Sequence, residues 1–462
     1  MLTGMTARDA LIAAVAAAPG DDLPRLVYAD WLEENGDPVR AGFVRRHVEL
    51  ARVKPLTPAW DKLAGELKVV AVRHAIDWVA PLATAFGQPP PLWPPDPTGG
   101  WLARAWNRPA TADAVHKRPF ITPDGALRVP CDVRDGLTVS RVPLRTVVFR
   151  RGLADTLCAE ARYVRGGGGF ETAFRATPVA DLELTVGDSP SGWDRADGPW
   201  FGRLRSLTLE FVPGGSTCRE AGEPVFGSPH LTGVSALALG PLLGWVGARQ
   251  IAFDRTGIEA LIDSPLPGRL KVLRVPLVPD VVTALRGYPA GGPLEELCPA
   301  RMSGSWMTAD GWRALADLAV RPRLRRLSLR GCALTDAGLT ALCRGPRWDR
   351  LDALRLDSNP VTDAGGVALA RLAPFPQLRV LRLDRTQVAD DTARALARSP
   401  LARTLRTLDL SHNRITADGA LPLAVALAEG PLARLRLEGN SIPRRRRHRV
   451  RDILGDRVVL DP

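Results

Sequence analysis

The sequence predicts an α/β solenoid in which short parallel strands alternate with helices. One apolar pattern recurs five times at a constant 27-residue spacing, and each of the first four copies is followed by apolar residues at helical spacing. The chain, at 462 residues, is also several times longer than an ordinary single domain. A strand-plus-helix unit of this size cannot bury its own apolar face, so neighbouring units must stack.

The repeated pattern reads L-x-x-L-x-L. Successive side chains of a strand point to opposite faces, so its alternating leucines lie together on the buried face. A polar or small residue follows three positions later, where the strand turns and leaves backbone groups for a side chain to satisfy. The five copies begin at Leu324, Leu351, Leu378, Leu405 and Leu432. The turn residues are Cys332, Asn359, Thr386, Asn413 and Asn440.

Each turn leads into a predicted helix. Threonines stand where an N-cap is needed, acidic residues follow near the positive helix end, and leucines with the same 27-residue spacing face the core. The caps are Thr335, Thr362 and Thr416, and the acidic residues are Asp336, Asp363, Asp390 and Asp418. The core leucines are Leu342, Leu369, Leu396 and Leu423.

The full pattern, L-x-x-L-x-L-x-x-N/C-x-L, resembles the leucine-rich-repeat family. A 27-residue period with a helix in each unit is similar to its ribonuclease-inhibitor-like subtype. The resemblance implies a horseshoe solenoid, with parallel strands inside and helices outside.

The pattern continues upstream with less regular spacing, from 24 to 36 residues. A further strand is possible at Ile251 and Phe253, and Pro299 replaces the third leucine of its unit. We therefore expect ten to twelve units with a degenerate first half. The candidate strands begin at Leu144, Val179, Leu204, Val234, Leu270 and Leu294.

An Arg-rich segment follows the last repeat at residues 444–449. Such a run can contact nucleic acid. Capping is favoured, because Pro443 can start a helix whose Val450, Ile453 and Leu454 cover the end of the solenoid. Residues 458–460 could add a final strand.

The first residues read as a separate helical module. Thr6 can cap a first helix, a second begins near Pro24, and Asp37-Pro38 can start a third that holds Phe43, Val44, His47 and Leu50. Residues 24–37 (PRLVYADWLEENGD) closely resemble the bacterial repeat-companion domain, a short module found in front of repeat arrays. The family supplies an architecture and no activity. Tyr28, Trp31 and Leu32 are interpreted as core, and Asp30 and Glu33 as solvated charges or an interaction face.

A fourth helix is predicted from Pro58 to Ala80, followed by a Pro/Trp-rich segment that can serve as a linker or dock on a partner. We therefore divide the chain into a helical module (1–53), a helix and linker (54–130), degenerate repeats (131–323), regular repeats (324–442) and a C-terminal cap (443–462).

The composition limits the possible functions. The net charge of +12 is built from 57 Arg and 5 Lys, a bias also typical of a GC-rich genome, so it is weak support for nucleic-acid binding. Six scattered cysteines, with no C-x-x-C pair, predict free thiols and no metal site. No stretch approaches the roughly 18 apolar residues of a membrane span, and the apolar run from Leu11 to Ala18 fits a helix better than a signal peptide. We expect a cytoplasmic protein with no membrane partner.

No motif indicates catalysis. The six His are isolated, and the glycine run at residues 166–169 lacks the ending of a phosphate loop and favours a flexible turn. The sequence predicts no catalytic residue, no cofactor and no small-molecule substrate. An active site assembled from residues distant in sequence would make the chain an enzyme. This hypothesis is kept beside the two binding functions described below.

The second, third and fifth positions of L-x-x-L-x-L point away from the leucine core, towards the concave face. Across the five repeats they hold eight Arg and two Asp, which predicts a basic stripe that selects an acidic protein surface. The alternative interpretation is that these arginines are solvated surface positions, with no binding role, in a chain that is rich in Arg. The candidate partner-binding residues are Arg325, Arg326, Arg355, Arg379, Arg382, Arg406, Asp409, Arg434 and Arg436.

These features favour a non-catalytic protein-binding scaffold. The alternative is binding of nucleic acid or another polyanion through the Arg stripe and the basic C-terminal segment. A steep loss of affinity with salt would distinguish that alternative.

Overall fold

The computed structural model describes residues 6–53, 57–86, 120–122, 125–130, 134–135, 138–139, 144–160, 168–186, 199–211, 222–223, 225–241, 255–299 and 307–461. Contacts divide the chain into two units. The first is Met1–Gly215 with Ser228–Val234, and the second is Ser216–Gly227 with Ser235–Pro462. The Pro/Trp-rich segment and the possible strand at Ile251 and Phe253 lie outside the described residues.

The first unit opens with helices. They are α1 (Ala7–Ala17), α2 (Leu23–Glu34), α3 (Pro38–Arg52) and α4 (Pro58–Ala85). Thr6 caps α1 in a capping box with Asp9, and Asp37 caps α3 through the Arg40 N–H, so both predicted starts are confirmed. Helix α4 runs five residues past its predicted end through Pro81. Leu82 and Ala83, beyond the proline, are buried and hold the last turn.

The helical module is packed as its sequence predicts. Tyr28 and Leu32 are buried against α1, and Trp31 is partly buried and stacks on the Tyr28 ring. Asp30 and Glu33 remain exposed, and Arg45 of α3 bridges them at 2.7 and 2.6 Å. This places solvated, paired charge on the outer side of α2.

His47 is buried, and its ring nitrogen Nε2 lies within hydrogen-bonding distance of the Gly125 carbonyl oxygen. Burial lowers the pKa of His47 to about 4, although the hydrogen bond opposes the shift. The side chain is therefore neutral near pH 7 and belongs to the core of the first unit.

Hairpins precede the repeats of the first unit. The strands are β1 (Phe120–Ile121), β2 (Leu127–Pro130), β3 (Arg134–Asp135), β4 (Thr138–Val139), β5 (Leu144–Arg150), β6 (Leu153–Glu160), β7 (Asp181–Val186) and β8 (Ser206–Phe211). The strand predicted at Leu144 exists as β5, but it pairs antiparallel with both β2 and β6 and is therefore not a repeat strand. Arg151 and Gly152 both have positive φ, and a two-residue turn of this kind forces the chain to reverse.

Parallel pairing begins after this hairpin. Leu157 of β6 is in register with Leu182 of β7, which is in register with Leu207 of β8. Helix α5 (Gly168–Ala176) begins inside the glycine run. The expectation of a flexible turn is thus wrong for Gly168 and Gly169, because the amphipathic segment that follows extends the helix back to them.

The second unit contains the parallel strands β9 (Ala236–Pro241), β10 (Val272–Val275), β11 (Glu296–Pro299), β12 (Arg326–Ser328), β13 (Ala353–Arg355), β14 (Val380–Arg382), β15 (Thr407–Asp409), β16 (Arg434–Arg436) and β17 (Val458–Val459). Its helices are α6 (Arg255–Ile262), α7 (Pro279–Leu285), α8 (Ala309–Ala316), α9 (Asp336–Arg344), α10 (Asp363–Leu372), α11 (Asp390–Arg398), α12 (Ala417–Ala428) and α13 (Arg444–Leu454).

The motif leucines are in register from strand to strand and almost inaccessible to solvent, as Leu327, Leu354 and Leu381 show. Among the described residues, each of the twelve strands from β6 to β17 pairs in parallel with a neighbour in its own unit. The chain therefore has the fold of a leucine-rich-repeat solenoid.

The turn asparagines join their repeats to the ones before them. The Asn413 side-chain amide donates to the Leu383 and Leu410 carbonyls at 2.8 and 3.0 Å, and its oxygen accepts from Thr386. Asn359 bonds Leu329 and Leu356 in the same way, at 2.7 and 2.8 Å. One side chain thus satisfies backbone groups of two repeats.

The helix-start carboxylates also act between repeats. Thr335, Thr362 and Thr416 are N-caps, as predicted. The Asp336 carboxylate, however, accepts hydrogen bonds from Thr362 and from the Gly365 N–H in the following helix. Asp363 and Asp390 repeat this arrangement on the helices after them. Each acidic residue therefore supports the next repeat rather than only its own helix.

The C-terminal segment adds a last helix and strand. Val450 and Leu454 of α13 are buried, Ile453 is half-buried, and β17 pairs with β16. Arg445, Arg446 and Arg449 of α13 are exposed, and Arg446 pairs with Asp418 at 2.8 Å. Arg447 is partly buried and donates to the Ile442 and Asp461 carbonyls. A helix and strand thus follow the last repeat, as expected.

Because Asp336 occupies the space beside Gly365, a methyl group at that position would collide with the carboxylate oxygen. We expect Gly365→Ala to lower the free energy of unfolding by about 1–3 kcal/mol. The measurement is urea unfolding followed by circular dichroism.

Gly65→Ala is the matched control. Gly65 is exposed within α4 and has open space around it, so alanine there should be neutral or stabilising by about 0.5–1 kcal/mol. Equal stability changes in the two variants would contradict the proposed contact between repeats.

Candidate protein-interaction surface

The solvent face of β12 to β16 consists of side-chain rows that cross the strands. Parallel pairing aligns Arg355 with Arg382, Arg382 with Asp409, and Asp409 with Arg436, so these side chains are adjacent across the strands. A second row begins with Arg326 and ends with Arg434, with small or uncharged residues between them. All nine sequence-predicted residues lie in these two rows or directly before the strands.

The arginines of the fifth motif position are paired with carboxylates that lie just past the ends of their strands. Arg355 lies 3.4 Å from Asp357, Arg382 lies 3.3 Å from Asp384, and Arg436 lies 3.2 Å from Glu438. In each case the acid follows the arginine by two residues, the spacing that places both side chains on one side of an extended backbone. The bond with Glu438 also raises the pKa of Arg436.

Asp409 links two of these pairs. Its carboxylate lies 3.4 Å from both Arg382 and Arg436, and it accepts hydrogen bonds from the Ser411 N–H and hydroxyl at 3.1 and 2.6 Å. The sequence prediction placed Asp409 in solvent, but only 2% of the residue is exposed. The two long guanidinium groups beside it cover the shorter carboxylate.

The predicted basic stripe is therefore neutral along its centre. Arg330 also lies 3.1 Å from Asp357. The network thus contains four arginines and four carboxylates, which leave no net charge. Its members are Arg330, Arg355, Arg382, Arg436, Asp357, Asp384, Asp409 and Glu438.

The remaining predicted arginines lie where the strands begin. Arg325 pairs with Asp352 at 3.3 Å, and Arg326 pairs with Glu296. The side chains of Arg379, Arg406 and Arg434 are exposed and form no ion pair within the described part of the chain.

Two arginines that sequence reasoning missed share this side of the sheet. Arg323 and Arg350 are exposed, without an ion pair in the described residues, and each stands just before the leading leucine of its repeat. With Arg325 and Arg379 they line a groove of about 560 Å³ that also contains Asp349 and Asp352. The repeat spacing was the signal that could have identified them. We call Arg323, Arg350, Arg379, Arg406 and Arg434 the rim arginines.

The chemistry of the described residues centres on charge rather than nucleophiles. Burial raises the pKa values of the Cys298, Cys332 and Cys343 thiols to about 12, so these thiols are protonated near pH 7. No group of three or more His, Cys, Asp or Glu suited to a metal ion occurs among the residues that the structure describes. No helix in that part of the chain has the length and apolar composition that crossing a membrane requires.

Three segments of the regular repeats match a family model, and two solved structures are similar to the chain. Residues 322–343, 351–370 and 402–424 match the family described as Leucine Rich repeat. An internalin from Listeria monocytogenes is similar in structure, with 17% identity, a TM-score of 0.35, and coverage of 66% of this chain and 85% of the internalin. A Bacteroides fragilis protein has 13% identity, a TM-score of 0.33, and coverage of 72% and 89%. No curated protein matches the sequence.

Because Asp409 is buried between two arginines, we expect Asp409→Asn to lower the free energy of unfolding by about 1–3 kcal/mol. The variant keeps the shape of the side chain and removes the charge that Arg382 and Arg436 share. The measurement is chemical unfolding of both proteins under the same conditions.

Asp391→Asn supplies the control, because Asp391 forms an exposed pair with Arg394 on a helix. Its effect should stay within about 0.5 kcal/mol. The charge network would be incorrectly assigned if Asp409→Asn were as mild as this control.

Proposed function

We propose that this chain is a non-catalytic scaffold that binds a protein partner on the solvent face of its repeat strands, the concave face of the implied horseshoe. The observation that carries the proposal is the fixed order of that face. Leucines bury the other side of each strand, and neighbouring side chains hold the exposed rows in register. A preorganised surface loses little conformational entropy when a partner binds.

The neutral network supports a protein partner. Its arginines and carboxylates are fixed by one another, which gives a polar surface of defined shape. Small and apolar side chains lie beside it, including Ala353, Val380 and Thr407 in one row across the strands. A surface of this mixed character suits a folded protein better than a uniformly charged polymer.

The helical module is proposed as an adaptor. Its sequence resembles the bacterial repeat-companion domain, and we propose a bacterial, cytoplasmic setting on the same grounds. Arg205 joins the module to the repeats of the first unit by donating to the Ala16 and Ala17 carbonyls at 3.1 and 2.9 Å. This contact holds the C-terminal end of α1 against those strands.

Polyanion binding is the second candidate, favoured by the rim arginines and by exposed Arg445, Arg449 and Arg451 on α13. Affinity for nucleic acid would fall steeply with salt and would not depend on a particular protein surface. Nuclease treatment of a cell extract therefore separates this candidate from the scaffold.

The test is affinity capture from a nuclease-treated extract with the intact protein and with Ala353→Trp/Thr407→Trp. The two tryptophans would obstruct the strand face without breaking an ion pair, whereas Arg355→Glu/Arg382→Glu would also disturb the charge network. We expect the variant to lose a defined set of proteins that the intact protein captures, measured by quantitative mass spectrometry.

Val425→Trp is the matched control, because Val425 is exposed on α12. It should retain the same partners. Recovery of one unchanged set of proteins with all three baits would show that the strand face is not the binding surface.

A further inference from the structure

Charge remains unpaired at one edge of the repeat sheet. In each of the five regular repeats, an exposed arginine at or just before the strand has no carboxylate partner in the described residues. These are the rim arginines, and they contrast with the fifth-position arginines, all of which are paired. Each regular repeat therefore contributes one such arginine near the start of its strand, directly before the leading leucine (Arg323, Arg350), directly after it (Arg379, Arg406) or two positions after it (Arg434).

Arginines on the helix side have an internal explanation that four of the rim arginines lack. Arg344, Arg371 and Arg398 each lie in the last turn of a helix, where positive charge is stabilised by the helix dipole. Arg323 also ends a short helical turn, Arg321–Arg323. Arg350, Arg379, Arg406 and Arg434 precede strands or begin them, and strands have little net dipole. No helix end within the described repeats therefore accounts for the charge of these four.

The spacing of the rim arginines limits the ligand. Neighbouring parallel strands lie about 4.8 Å apart, so five strands present arginines over about 19 Å, the length of about six extended residues. The groove of about 560 Å³ beside Arg323, Arg350 and Arg379 gives such a chain a place to lie, and Gln377 adds an amide to its wall. Asp349 and Asp352 also line the groove, but each has an arginine partner of its own. Glu295 lines the groove as well and forms no ion pair with any described residue.

We propose that the rim arginines bind an extended partner segment rich in Asp and Glu, which crosses the strands along this edge. The proposal rests on the proposed scaffold function and specifies one part of its surface. Guanidinium groups form paired hydrogen bonds with carboxylates, and exposed, unpaired arginines retain all their donors for a partner. The neutral network beside them would direct the acidic segment to the edge of the strand face.

The test uses a fluorescein-labelled oligoglutamate peptide as the probe, titrated with the full chain and followed by fluorescence anisotropy. We expect saturable binding, about tenfold weaker in Arg350→Ala/Arg379→Ala because two charged contacts are lost. An oligoglutamine peptide of the same length should not bind. Thermal unfolding of the variant shows whether the fold is retained.

Arg371→Ala/Arg398→Ala is the control, because it changes the net charge equally on the helix side. It should leave the affinity for oligoglutamate within about twofold of the intact protein. Equal weakening by both double variants, or no binding of oligoglutamate, would overturn the proposal. Tighter binding of oligodeoxythymidine of equal charge would also overturn it, in favour of a nucleic-acid surface.

Failure of this assignment is distinguishable from failure of the scaffold. Suppose that the tryptophan variant loses partners while Arg350→Ala/Arg379→Ala binds oligoglutamate normally. The strand face then binds protein, and the rim arginines do not bind the acidic segment. If the tryptophan variant loses no partner, the scaffold itself is contradicted, whatever the peptide shows.

Discussion

Stacking of one repeat on the next is the constraint on which the rest of the regular array depends. A single unit exposes its leucines and leaves backbone groups at its turn unsatisfied. Asn359 and Asn413 donate to carbonyls of two successive repeats, while Asp336 and Asp363 support the helix of the following one. These bonds fix the register, and the register then decides which side chains meet on the solvent face.

The buried side of this arrangement was predictable from sequence, because periodicity alone determines it. The leucine positions and the threonine caps were found as expected. The antiparallel start of the first unit was not predicted, because the apolar spacing at Leu144 also fits a repeat strand. Only the turn at Arg151 and Gly152 distinguishes a hairpin strand from a repeat strand at this position.

The solvent face was predicted in position but not in charge. Reading only L-x-x-L-x-L ended each window before Asp357, Asp384 and Glu438, which neutralise the arginines two residues earlier. It also began each window after Arg323 and Arg350. The net charge of a six-residue motif is therefore a poor guide to surface potential, because its side chains form ion pairs with residues outside the motif.

We propose that ion pairing, and not exposure alone, divides the arginines of this face into structural and available groups. Timed modification of the native protein with phenylglyoxal, with each site quantified by mass spectrometry, tests this division without a partner. Arg325 and Arg326 are the decisive comparison, because their side chains are 55% and 50% exposed and yet paired. If pairing decides availability, the rim arginines react several-fold faster than Arg325, Arg326 and the fifth-position arginines. Rates that follow exposure alone, with Arg325 and Arg326 as reactive as the rim, would contradict it.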